Sequence, residues 1–247
     1  MQTVAVINQK GGVGKTTTAL VIGEYLQKKR KKVLMVDIDQ QGNLTGSYKQ
    51  PILETKELFN VNTVVNTSGG LDLMPAVTGL SIVEQILTDI GRESALKEAL
   101  EAISANYDYC IIDCPPALNI LTINALTCCN GVVIPTHADK FATQGVSQLF
   151  STINNVKKYC NKDLKVMGLL FTRFKPRTTY SNVIAEELEP LIKSCGTKIY
   201  KAKIRESIAI QEAEGVGASI LIYAPNNNAV KDYNDFLKEF SKDLKEI

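Results

Sequence analysis

The chain begins with an apolar run, Thr3-Val4-Ala5-Val6-Ile7, that passes through Asn8 and Gln9 into Lys10-Gly11-Gly12-Val13-Gly14-Lys15-Thr16-Thr17 and then into helical periodicity. A strand, a glycine-rich turn and a helix start in that order leave several backbone N–H groups unpaired and aimed at one point. The helix dipole favours negative charge at the same point. Such a turn cradles phosphate. Lys15 is expected to reach the β and γ phosphates as a point charge, and the Thr16 hydroxyl to ligate Mg²⁺. Gly11, Gly12, Val13, Gly14 and Thr17 complete the expected nucleotide contacts. The spacing also departs from the ordinary P-loop, which has a glycine five positions before Gly14. Gln9 stands there, followed by an additional lysine, Lys10.

Further apolar runs cover residues 33–38, 71–74, 109–113, 131–135 and 166–172. Between them, residues 16–29, 94–104, 119–128, 144–159, 180–192 and 231–244 repeat their apolar positions near every 3.6 residues. Near-continuous apolar strands are what a parallel sheet buried on both faces requires. The expected fold is therefore α/β: a doubly wound, mostly parallel sheet with helices on both faces. A chain of 247 residues, 45% of them hydrophobic, fits one such domain over residues 1–247. No run reaches the roughly eighteen apolar residues of a membrane-spanning helix, and the N-terminus starts with a core strand rather than a leader, so a cytosolic protein is expected. The six cysteines lack paired C-x-x-C spacing and read as reduced, small apolar residues. Cys110 and Cys114 flank Asp113, but strand alternation puts Cys110 and Asp113 on opposite faces, which argues against a metal–thiolate site.

In a parallel sheet the ligand-binding residues sit at the carboxyl ends of strands. Val33-Leu34-Met35-Val36-Asp37-Ile38-Asp39 is an apolar strand ending in two carboxylates two residues apart. Tyr109-Cys110-Ile111-Ile112-Asp113 ends another in one. An apolar strand followed by Asp is how phosphoryl-transfer sites hold Mg²⁺ and position an attacking water. Asp37, Asp39 and Asp113 all qualify as metal-side acids beside the Thr16 hydroxyl. His137, the one histidine, is read as structural.

The net charge is only +2, yet residues 157–205 carry twelve Lys or Arg against four Asp or Glu, a local +8 on an otherwise acidic chain. That imbalance implies a surface facing a polyanion. The last helical stretch places Tyr233, Phe236, Leu237, Phe240 and Leu244 on one stripe. Its polar face alternates Lys238, Lys242 and Lys245 with Glu239, Asp243 and Glu246, which fits packing on the sheet better than an interfacial membrane anchor.

Asn8-Gln9-Lys10-Gly11-Gly12-Val13-Gly14-Lys15-Thr16-Thr17, Val36-Asp37-Ile38-Asp39-Gln40-Gln41-Gly42-Asn43 and Ile112-Asp113-Cys114-Pro115-Pro116 resemble the deviant Walker A, switch I and Walker B elements of ParA/Soj-type partition ATPases. Leu121-Thr122-Ile123-Asn124-Ala125-Leu126, Ile134-Pro135, Gly145-Val146-Ser147-Gln148-Leu149 and Arg177-Thr178 extend the resemblance over nearly the whole chain. The additional lysine also occurs in the wider superfamily of MinD-like and nitrogenase-reductase-like proteins.

The resemblance implies ATP and Mg²⁺ as ligands, and a homodimer with nucleotide sandwiched between subunits. Lys10 of one subunit would reach the phosphates held by the other, and Lys15 and Asp39 would join it as catalytic residues. It further implies sequence-independent DNA binding, location on the nucleoid in the ATP-bound state, and a ParB-like partner that stimulates slow hydrolysis. Pro225 and Asn226 are the expected adenine contacts. Gln40 replaces the family's usual proline. Ala209 stands where chromosomal members often have a DNA-binding arginine, which shifts the expected DNA contacts to Lys175, Arg177, Lys201, Lys203 and Arg205. The family's larger plasmid members carry an N-terminal helix-turn-helix domain, and none is expected here. The alternative is a MinD-like membrane-associated positioning ATPase.

Overall fold

The computed structural model describes residues 1–67, 70–83, 91–140, 142–175 and 179–247. Its strands are β1 (Gln2–Val6), β2 (Val33–Asp37), β3 (Val65–Asn66), β4 (Asp72–Met74), β5 (Tyr109–Asp113), β6 (Gly131–His137) and β7 (Lys165–Thr172). They form one sheet in the order β3-β4-β2-β5-β1-β6-β7. All pairings are parallel except β3 with β4. The helices are α1 (Lys15–Lys28), α2 (Asn43–Ser47), α3 (Ala95–Ile103), α4 (Ile120–Cys128), α5 (Ala142–Tyr159), α6 (Thr179–Ser194), α7 (Ile208–Gly215), α8 (Ile220–Tyr223) and α9 (Asn228–Asp243).

Strand alternation divides the core into two layers. Ala5, Leu34, Val36, Cys110 and Ile112 pack with Leu96, Leu121, Leu149 and Leu188, from α3, α4, α5 and α6. Val4, Val6, Met35 and Ile111 pack on the other face with Leu20 and Ile22 of α1 and Phe236 and Phe240 of α9. Both faces are covered, as a parallel sheet demands. The α9 stripe is consumed by this packing: Tyr233, Phe236, Leu237 and Phe240 are at most 1% exposed. Phe236 meets Tyr200 edge to face, with ring centroids 4.9 Å apart. Among the described residues no helix is long and apolar enough to cross a membrane.

Register then positions the site. Val6 and Asp37 both pair with Asp113, so the carboxyl ends of β1, β2 and β5 lie side by side. The chain leaves β1 at that edge through the glycine-rich turn. Four elements have no counterpart in the periodicity: β3, α2, α7 and α8. Each is eight residues or shorter, too short to show a repeat.

Candidate nucleotide site

The turn after β1 is held from both sides. Asn8 Nδ2 donates to the Pro135 carbonyl at 2.7 Å, and its Oδ1 accepts the Lys10 N–H at 3.0 Å. Gln9 Nε2 donates to Gln148 of α5 at 2.7 Å. The Thr172 hydroxyl, at the end of β7, lies 2.8 Å from the Val13 carbonyl. Gly14 adopts φ of 80°, and a Cβ there would stand 3.7 Å from the Thr172 methyl, so backbone conformation rather than crowding selects glycine. Lys15 is buried, and its ammonium donates to the Lys10 carbonyl at 3.1 Å. Burial lowers its pKa, opposed by the nearby Asp113 and Asp39 carboxylates.

Asp113 is fully buried, and its Oδ2 accepts the Thr16 hydroxyl at 2.6 Å, while Oδ1 has no hydrogen-bond partner. Burial raises its pKa well above the carboxylate range, with the adjacent Asp37 adding to the effect. A carboxylate oxygen left bare beside a threonine hydroxyl fits a Mg²⁺ site of the kind that takes one or two protein groups and completes its shell with water and phosphate. Thr16 and Asp113 would hold that ion, which supplies charge neutralisation for the phosphates when bound. Asp37 has another task. Its Oδ2 accepts the Thr45 N–H at 2.8 Å and the Thr45 hydroxyl at 2.7 Å, and its Oδ1 accepts the Asp39 N–H at 3.1 Å. It fixes the turn into α2, and burial pushes its pKa up to about 6. Asp39 caps the next turn through the Gln41 N–H at 3.0 Å and also lines the cavity.

That cavity, about 480 Å³, is bounded at one end by Gly11, Gly12, Gly14, Lys15, Thr16, Thr17 and Asp39. Its other end is walled by Thr172 and Arg173 after β7, by Ile204 and Ser207, and by Ile210, Gln211 and Glu214 of α7. Glu214 Oε1 accepts a hydrogen bond from the Thr17 hydroxyl at the start of α1. Pro225 and Asn226 are exposed in the connection from α8 to α9 and are not among the residues that line this cavity. Ser207 ahead of Ile208-Ala209-Ile210 and the glycines at 215 and 217 were the sequence signals for α7.

A family profile described as an AAA domain matches residues 1–166. The chain is 39% identical to the sporulation initiation inhibitor protein Soj of Bacillus subtilis over 96% of each chain. It is 38% identical to the chromosome partitioning protein ParA of Caulobacter vibrioides over 90% of this chain and 87% of that one. The chain belongs to the ParA/Soj-type partition ATPases. Solved structures agree on the fold. A cobyrinic acid a,c-diamide synthase from Mycobacterium smegmatis with bound ADP and magnesium superposes with a TM-score of 0.85 at 31% identity, covering 99% of this chain and 95% of that one. A putative plasmid partition protein from Borrelia burgdorferi bound to AMPPNP gives 0.75 at 25% identity, covering 98% of both.

In this ParA/Soj-type chain the additional lysine does not enter its own cradle. Lys10 forms an ion pair with Asp139, just past β6, and 38% of its side chain is exposed. Burial, then Arg173 and Lys10, lower the pKa of His137. The basic region is less free than its charge count implies. Lys175 pairs with Glu206 at 3.0 Å, and Arg205 makes two 2.6 Å bonds to Asp232. The Lys203 ammonium lies 4.3 Å from the Phe174 ring centroid, and Lys201 is exposed. Arg177 lies outside the described residues. Burial raises the thiols of Cys110, Cys114 and Cys129, and pushes Cys128 up to about 12, leaving them as apolar packing groups.

Proposed function

We propose that this chain is an ATP-hydrolysing switch for DNA segregation. ATP binding pairs two copies, the pair binds DNA without sequence preference, and a ParB-like partner releases it by stimulating hydrolysis. The observation that carries the reading is the division of labour between two lysines on one turn. Lys15 fills the cradle, whereas Lys10 turns away from it to pair with Asp139 and stays partly exposed, which suits a lysine that exchanges that pairing for the phosphates of a second copy.

Within the site, backbone N–H groups and Lys15 bind and orient the phosphates, and Thr16 and Asp113 hold Mg²⁺. Asp39, buried in the lining of the same cavity, orients the attacking water. Ile204 and Ile210 offer apolar surface to the base. Phosphoryl transfer needs positioning and charge neutralisation rather than covalent chemistry, so a site completed only by pairing with Lys10 of a second copy is slow alone. Soj and ParA relatives that cover most of the chain, and neighbours solved with ADP, AMPPNP and magnesium, support the reading.

The test is binding to an arbitrary DNA duplex with ATP, ADP or no nucleotide at two salt concentrations, comparing wild type with Lys10→Ala. ATP-dependent, salt-sensitive binding that disappears in the variant is expected. Equal binding in every nucleotide state, or none in any, would overturn it.

A further inference from the structure

Glu214 is an odd group to find in a polyphosphate cavity. It lines the same 480 Å³ space as the glycine-rich turn and touches the Thr17 hydroxyl. A carboxylate close to phosphate repels it and has no proton to donate. Beyond the Thr17 hydroxyl, the Glu214 carboxylate has acceptor capacity left for a ligand group that donates. Thr16 and Thr17 are consecutive on α1, about 100° apart around the helix. The Thr16 hydroxyl faces Asp113 on the metal side, and the Thr17 hydroxyl faces Glu214 on α7. Glu214 therefore lies on a different side of the cradle from Asp113, in the same cavity lining as Ile204, Ser207, Ile210 and Gln211.

The geometry points to Glu214 as the residue that reads the ribose, its carboxylate accepting hydrogen bonds from the 2′- and 3′-hydroxyls of the bound nucleotide. The proposal rests on the ATP reading and deepens it by making the site selective for ribonucleotides over deoxyribonucleotides. Two adjacent hydroxyl donors match the two oxygens of one carboxylate, and hydrogen bonds to a charged acceptor are the stronger kind. The edge of adenine is a poorer partner, since its amino donor sits beside a ring-nitrogen acceptor that a carboxylate repels. Packing keeps Glu214 in place. Ala213 before it is buried, and Gly217 brings the end of α7 so close to α2 that a Cβ there would stand 3.1 Å from the Gly46 carbonyl.

The experiment is calorimetric titration of wild type, Glu214→Gln and Glu214→Ala with ADP, 2′-deoxyADP and 3′-deoxyADP in Mg²⁺, diphosphates being chosen to keep hydrolysis out of the readout. Wild type should bind ADP roughly tenfold or more tighter than either deoxy form. Glu214→Ala should lose that preference together with a similar factor in ADP affinity, and Glu214→Gln should fall between. ADP bound by wild type without ribose preference overturns the proposal and leaves the nucleotide reading standing. So does a preference that survives in Glu214→Ala, or an alanine variant that binds ADP more tightly, which would make Glu214 a source of phosphate repulsion. Wild type that binds none of the three overturns the nucleotide reading itself.

Discussion

The two ends of one cavity are built on different principles. The phosphate end comes from a contiguous stretch of chain, and most of its binding groups are backbone N–H donors and a buried lysine fixed where a strand becomes a helix. The end proposed to take the nucleoside is assembled from the tip of β7 and, about thirty residues further along the chain, from Ile204 and α7, and its groups are side chains. A backbone cradle is tightly constrained and tolerates little change. A side-chain wall can be retuned one residue at a time, so the same fold can keep its phosphate chemistry while altering what surrounds the base and sugar.

Lys15→Ala should break the comparison most sharply. Nucleotide affinity is expected to fall by about a hundredfold or more, the loss of a charge-assisted contact to phosphate. The thermal midpoint of the nucleotide-free protein should fall as well, because the buried Asp113 and Asp39 lose their compensating cation. Calorimetry and a melting curve check both halves, and a variant that binds nucleotide normally would deny the phosphate end its dominance.

Asp39→Ala separates binding from chemistry at that same end. Hydrolysis, followed as phosphate release, should slow by about a hundredfold while ATP affinity changes only a few-fold. Equal losses in both would reassign Asp39 to holding the turn through Gln41.

The buried carboxylates predict a pH dependence. Asp37 titrates near 6 in the folded chain against an ordinary 3.8, and Asp113 is raised as well. Their protonated forms favour the folded state, so this contribution is fully present below about pH 4; the Asp37 share is lost as pH rises through 6, and the Asp113 share also falls with rising pH. Urea unfolding without nucleotide should show that loss, and Mg²⁺ with ADP should offset it by binding only the folded, ionised site. A flat profile across the same range would contradict the desolvation of the pair.

The smallest effect belongs to the nucleoside end. Ile210→Ala should weaken ADP binding only a few-fold, about 1 kcal/mol from apolar contact, with hydrolysis at saturation unchanged. A loss rivalling that of Lys15→Ala would erase the distinction between the two ends.

The phosphate end was legible because its signals are local. A strand, glycines, Lys15 and Thr16 occur in one uninterrupted stretch, and Asp113 ends an apolar run. Both layers of helices also followed from periodicity. The nucleoside end was not legible in the same way. α7 is eight residues long, and Ile210, Gln211 and Glu214, which it contributes to the cavity, form no local motif that announces the role. The local +8 was visible in the sequence, but Glu206 and Asp232, which pair with Lys175 and Arg205, lie far from them along the chain or beyond the counted window.

The sequence by itself determined the parallel α/β sheet, the cradle after β1 and the acids at the strand ends, because hydrophobic periodicity and backbone geometry act over a few residues. Only the tertiary structure decided that Asp37 serves a turn while Asp113 keeps a bare oxygen, that Lys10 pairs with Asp139, and that Glu214 faces Thr17 across the cavity. Those assignments depend on which distant side chains share a space, and packing alone sets that.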